Sequence, residues 1–86
     1  MSYEKIVNLQ SKLIIGTKQT LKALESDSVE EVFVAKDADA QITKEIIRIA
    51  NEQNVTCTLV DSKKKLGTAC GIEVNATTVA ITKSGS

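Results

Sequence analysis

Val32-Phe33-Val34-Ala35 is the stretch that most limits the fold of this chain. Successive residues of a strand point to opposite faces, so an unbroken apolar strand leaves neither face for water. Such a strand needs a cover on both sides. The chain has 86 residues, 42% hydrophobic and 26% charged. That is enough for one globular domain and too little for two cores. No apolar run reaches the length of a membrane span, and none is expected.

The flanking patterns supply the cover. Ser2 can cap a first helix to about Leu9, with Ile6, Leu9 and Leu13 roughly on one face. Leu13-Ile14-Ile15 reads as a short strand ending at Gly16. Thr17 to Glu25 reads as a helix with Leu21 and Leu24 turned inward, followed by a turn at Ser26-Asp27-Ser28. Lys36-Asp37-Ala38-Asp39 leaves the apolar strand as a loop. Ile42, Ile46, Ile49 and Ala50 recur at helical spacing, which predicts a helix from Gln41 to Gln53 that stops at Asn54. Val55 to Val60 is a third strand, and Asp61-Ser62 caps a short helix from Lys63 to Ala69. Thr77 to Thr82 is the last strand. Helix and strand alternate four times, which predicts an α/β sandwich with helices on both faces of a small sheet. One domain is expected over residues 1–82, with a loose tail at 83–86.

Absences narrow the chemistry. There is no His, which removes Ser-His and Cys-His nucleophiles and His-ligated metals. No Trp, one Tyr and one Phe leave almost no platform for stacking single-stranded bases. Cys57 and Cys70 are expected to be reduced, buried thiols. No apolar segment follows Met1-Ser2-Tyr3-Glu4-Lys5, so the expected location is cytoplasmic. Formal net charge is zero and the pI is about 6.2, so a uniformly basic coat for nucleic acid is not expected. The charges are nevertheless segregated. Glu25, Asp27, Glu30 and Glu31 gather around one turn, whereas Lys18, Lys22, Lys36 and Lys63 to Lys65 lie near strand-to-helix junctions. In a sandwich of this kind those junctions collect at one end, so a basic end and an acidic opposite end are expected.

Four segments can carry function. In Gly16-Thr17-Lys18-Gln19-Thr20-Leu21-Lys22, a glycine lets a backbone approach the helix start, whose first N–H groups are unpaired. Lys18 and Lys22 share a helical face, which makes a phosphate-binding corner. The plain alternative is an ordinary helix start with two solvated lysines. The run is not a P-loop, because the second glycine and its Lys-Ser or Lys-Thr pair are missing. Asp37-Ala38-Asp39 follows the central strand, where two carboxylates can hold magnesium or one can accept a phosphoryl group. Against this stands a helix cap supplied by Asp39. Lys63-Lys64-Lys65 is either a solvated face or a phosphate contact. In the last segment, Leu66 to Val74, Ile72 and Val74 flank Glu73 in a loop. They either pack beneath it or form a platform for a base or a partner.

Three of these segments, in this order, carry a resemblance. Gly16 through Lys22 matches a G-x-N-x-x-x-K helix start, and Val34-Ala35-Lys36-Asp37-Ala38-Asp39 matches an apolar strand running into an acidic loop. Ser62-Lys63-Lys64-Lys65-Leu66-Gly67, continued by Ala69-Cys70-Gly71-Ile72-Glu73-Val74, is the strongest piece. From about Leu13 to Ile81 the chain resembles the ribosomal L-seven-Ae family of kink-turn RNA-binding proteins, closest to its short bacterial members of the YbxF type. The resemblance implies a three-layer α/β/α sandwich with a four-stranded mixed sheet. It also implies binding of a sharply bent RNA with a bulge followed by tandem sheared G·A pairs. The helix that starts at Thr17 would enter the major groove there, which the bend opens. Gly16, Thr17, Lys18, Gln19 and Lys22 fall on the matching positions. Asp39 and Lys63 match positions near a flipped-out bulge base, and Ile72, Glu73 and Val74 match a loop that tunes affinity and RNA preference. The chain departs from the pattern where Lys18 replaces the usual Asn, Gln19 the usual Glu, and Ala40 a frequent Pro. Lysine can donate to guanine but cannot accept as Asn does, whereas Gln19 keeps an acceptor and gains a donor.

The expected protein is therefore a non-enzymatic, monomeric RNA binder without metal or cofactor. Its partner would be kink-turn RNA of ribosomal or riboswitch type, in association with ribosomes. Two rivals remain: a protein-interaction module without RNA affinity, and a magnesium-dependent phosphate-handling domain using Asp37 and Asp39.

Overall fold

The structure, a computed structural model, describes residues 12–83. The helix expected from Ser2 to Leu9 and residues 84–86 of the tail lie outside the described residues. The elements run β1 (Leu13–Ile15), α1 (Thr17–Glu25), β2 (Val29–Ala35), α2 (Ala40–Glu52), β3 (Thr56–Val60), α3 (Lys63–Ala69) and β4 (Thr78–Thr82). The four strands form one mixed sheet in the order β1-β4-β2-β3. β4 is antiparallel to both β1 and β2, and β3 is parallel to β2.

β2 is central, as its apolar run requires, and its residues divide between two cores. Phe33 and Ala35 join Val60, Val79 and Ile81 with Leu66 and Ala69 of α3 and Cys70 just after it. Val32 and Val34 face the other way, with Ala23 and Leu24 of α1, Ile46 of α2 and Ala80. The fold class is thus the expected α/β sandwich, with α1 and α2 over one face and α3 over the other.

Two expectations need correction. β2 begins at Val29, three residues before the apolar run. Val29 pairs with Thr82 and Glu31 with Ile81, so Glu30 is an extra residue in the ladder. This bulge turns Val29 to the same face as Val32 and Val34. It breaks the alternation by which a strand is recognised, and it places Glu30 and Glu31 within the strand rather than in the turn. Glu31 accepts a hydrogen bond from the Thr58 hydroxyl at 2.9 Å. The second concerns α1, whose inner face extends beyond the expected Leu21 and Leu24: Leu24 is buried together with Thr20 and Ala23, and Leu21 is half-buried against the same core. The two small side chains let the helix sit close to the sheet.

Cys57 and Cys70 are free thiols and belong to opposite faces of the sheet. Burial pushes both thiols up, and the Glu31 carboxylate adds to the effect at Cys57. Lys83, assigned to the tail by sequence, is held: its N–H donates to the Ser28 carbonyl at 3.0 Å and its Nζ pairs with Asp27 at 2.9 Å.

The loop between α3 and β4 lies directly over α3. A Cβ on Gly67 would overlap the Val74 carbonyl oxygen, and beyond it the Ala76 nitrogen at 3.3 Å. Both neighbours are backbone, so neither yields by a rotamer change. Gly67→Ala is expected to destabilise the fold by about 1–3 kcal/mol, read as a lower denaturant midpoint. An unchanged midpoint would show that the loop lifts freely. Thr20 is fully buried, and its hydroxyl has no hydrogen-bond partner. Thr20→Val keeps the shape and removes the orphaned group, so it should stabilise the fold by about 1 kcal/mol in the same assay. A loss of stability would reveal a partner for the hydroxyl.

Candidate nucleic-acid interface

Because β4 opposes both β1 and β2, and β3 follows β2, strands β1, β2 and β3 all point the same way. Their carboxyl ends and the start of β4 therefore meet at one end of the sheet. Backbone hydrogen bonds seal that end: Gly16 N–H to the Thr78 carbonyl at 2.9 Å, Ala35 N–H to Thr77 at 3.0 Å, and Lys36 N–H to Val60 at 2.8 Å. All three described helices start from it, so three helix dipoles present their positive ends together.

The three starts differ. α2 is capped by Asp39, whose Oδ1 accepts the Gln41 N–H at 2.8 Å. α3 is capped by Ser62, whose Oγ accepts the Lys65 N–H at 3.1 Å, and Asp37 Oδ1 accepts the Lys63 N–H at 2.9 Å. α1 begins at Gly16, which has no side chain to cap it, and no acidic residue lies in its first turn. The first bond within this helix runs from the Thr20 N–H to the Gly16 carbonyl at 3.0 Å. The N–H groups of Thr17, Lys18 and Gln19 precede it and have no acceptor within the helix. Gly16 adopts φ 112°, which side chains rarely allow, and a Cβ there would meet nothing within 4 Å. Among the described residues, the space above this glycine is open. Thr17 anchors the turn from below, its Oγ1 lying 3.1 Å from that of Thr78.

Lys18 and Gln19 are exposed at this open start. Lys22 is exposed on the same stripe but lies in the last turn of α1, about 6 Å further along the axis. It extends the basic surface down the helix rather than standing at its tip. Lys36, Lys64 and Lys65 are exposed around the same end of the sheet, and Lys63 is partly so. The opposite end carries Glu25, Asp27 and Glu30, all exposed. The expected polarity is present in part: exposed Asp37, Asp39 and Asp61 share the basic end, and Lys83 pairs with Asp27 at the acidic one.

Asp37 and Asp39 each accept a hydrogen bond from a different helix start. Among the described residues, no three His, Cys, Asp or Glu side chains group as a metal site. The capping alternative for Asp39 is what the structure shows. Ile72, Glu73 and Val74 divide within their loop. Ile72 is half-buried against the α3-side core, Glu73 is exposed, and Val74 is 69% exposed. Ile72 thus packs beneath the loop, and Val74 stays open to solvent. The loop is fixed by Ile72 N–H to the Gly67 carbonyl at 3.2 Å and Ala76 N–H to the Lys63 carbonyl at 3.0 Å.

Sequence reasoning missed Thr78 and the capping role of Asp37. A threonine at the start of a strand carries no signal of its own. The partner of Asp37 is 26 residues away in the chain, beyond any local motif.

Three comparisons bear on what this surface belongs to. The family model of the ribosomal protein L7Ae/L30e/S12e/Gadd45 family matches residues 2–86. Among curated proteins, the chain is 58% identical over 81 residues to an RNA-binding protein of Bacillus pumilus, covering 94% of this chain and 98% of that one. It is 53% identical, with the same coverage, to the RNA-binding protein YbxF of Geobacillus stearothermophilus. Among solved structures, the 15.5kD RNA binding protein of Giardia lamblia superposes with a TM-score of 0.86 at 26% identity, covering 92% of this chain and 68% of that one. Matched over nearly its whole length, the chain belongs to the ribosomal protein L7Ae/L30e/S12e/Gadd45 family.

Proposed function

We propose that this protein binds RNA through the end of the sheet where α1 begins, and that it recognises kink-turn RNA and stabilises its bent form. The observation that carries the reading is the uncapped start of α1, with Lys18 and Gln19 exposed beside it. Unpaired N–H groups at a helix start donate readily to phosphate oxygens or base acceptors. The relatives in Bacillus pumilus and Geobacillus stearothermophilus are named as RNA-binding proteins, which supports an RNA partner and a non-enzymatic role. The proposed target is ribosomal or riboswitch-type RNA. The protein acts as a cytoplasmic, ribosome-associated monomer.

Each residue has a distinct task in this reading. Gly16 keeps the approach to α1 open. The N–H groups of Thr17 to Gln19 and the side chains of Lys18 and Gln19 meet the G·A pairs, and Lys22 neutralises phosphate further along the groove. Asp39 and Lys63 stand beside the bulge, and Ile72, Glu73 and Val74 form the rim that adjusts preference. Kinking the RNA and binding it are then one equilibrium, in which the protein selects the bent state.

Charge and readout separate by mutation. Two RNAs suffice: an intact kink-turn, and the same RNA with its G·A pairs changed to Watson–Crick pairs. Gln19→Ala removes no charge. It should weaken the intact kink-turn by about 1–3 kcal/mol, leave the disrupted RNA unaffected, and preserve the salt slope. Lys22→Ala should weaken both RNAs and reduce the slope of log affinity against log salt by roughly one unit or less. Lys44→Ala, on α2, should change neither. If Lys44→Ala weakens binding as much as Lys22→Ala, the docking face is wrong. No salt-sensitive binding to either RNA would leave a protein-interaction module as the reading.

A further inference from the structure

We propose that Asp37 is a positioning residue of this interface: without touching RNA, it sets the start of α3, and through it the loop before β4, relative to the open end of α1. The inference deepens the RNA reading above and rests on it.

Lys63 is the hub of the connection, through its backbone rather than its side chain. Its N–H donates to Asp37 Oδ1 at 2.9 Å, and its carbonyl accepts from the Ala76 N–H at 3.0 Å. A single residue thereby joins three segments that are distant in the chain. They are the turn after β2, the start of α3 and the loop that holds Ile72, Glu73 and Val74. The far side of each joint is fixed. Ala38 N–H closes the turn on the Ala35 carbonyl at 3.1 Å, and Lys36 N–H ties it to the Val60 carbonyl at 2.8 Å. The loop cannot sink further, because Gly67 already lies against the Val74 carbonyl.

Capping alone does not account for Asp37. α3 already has a cap in Ser62, which takes the Lys65 N–H. What Asp37 adds is a bond between separate parts of the chain. It also carries a cost at this place. Asp37 is exposed and adjoins Lys36 in sequence and Lys63 through its hydrogen bond, so its negative charge opposes the attraction of the basic end for phosphate. Asparagine would keep an acceptor oxygen without the charge. The two functions of the side chain, geometry and charge, can therefore be split.

The test uses the full chain, an intact kink-turn RNA and a fully paired duplex of equal length. Asp37→Ala should weaken kink-turn binding about five- to tenfold, the equivalent of one lost cap, while duplex binding stays level or rises. Asp37→Asn should restore the kink-turn affinity and bind the duplex more tightly than the unsubstituted chain does. Amide hydrogen exchange on the free protein gives a second readout. In Asp37→Ala the Lys63 and Ala76 amides should exchange faster while the Thr20 amide does not. In Asp37→Asn both should stay protected. A substitution to Ala that lowers melting temperature but leaves the ratio of kink-turn to duplex affinity unchanged would overturn the proposal, as would unaltered protection of Ala76. Failure of Asn to rescue would show that the charge, not the bond, matters. If the unsubstituted chain binds both RNAs alike, the kink-turn reading fails and the RNA role of Asp37 falls with it. Exchange then still decides whether Asp37 holds the loop.

Discussion

β4 lies between β1 and β2 and runs against both. The placement of everything else follows from that pairing. It makes β1 and β2 parallel without direct contact, and β3 joins β2 in the same direction. Every described helix then starts at the same end of the sheet. A protein with zero net charge can in this way present a positive field at one end, where the helix dipoles and the junction lysines add, although Asp37, Asp39 and Asp61 stand there too, while Glu25, Asp27 and Glu30 lie at the other. The separation matters more than the sum. In the proposed function this separation lets one side of the molecule attract phosphate.

At that end, the proposed selectivity rests on an asymmetry among three similar helix starts. Two carry side-chain caps, from Asp39 and Ser62. At a capped start a side chain already takes one of the unpaired N–H groups, which leaves fewer for a ligand. α1 has glycine where a cap would be and, among the described residues, open space above it. The rest of the interface serves to keep that start in register with its surroundings. Thr17 and Thr78 pin the turn beneath it, and the Lys63 backbone holds the Ala76 loop beside it.

Much of this was legible in the sequence, for identifiable reasons. Val32 to Ala35 announced a strand covered on both faces, and the structure divides those residues between two cores. The isoleucines of α2 and the Ser62 cap of α3 are local signals, and each marks its element to within a residue or so. What escaped reading was non-local or small. The bulge at Glu30 depends on a partner strand 50 residues away, and it disguised the start of β2. The inner face of α1 includes Thr20 and Ala23 beside Leu24, and hydropathy ranks those two below the leucines. Asp37 looked like half of a cation site because its actual partner, the Lys63 N–H, comes from another element. The acidic pair of the loop was visible as a motif, but the division of labour within it was not.

The central claim is that ligand meets the protein at the uncapped start of α1. Amide chemical shifts of the labelled protein, followed while intact kink-turn RNA is added, test it most directly. The account predicts the largest changes at the Thr17, Lys18 and Gln19 amides, smaller ones at Lys63 and Val74, and none at Asp27 or Glu30. Changes centred on the acidic end, or on the exposed Leu59 of the β3 edge, with the α1 amides unmoved, would contradict it.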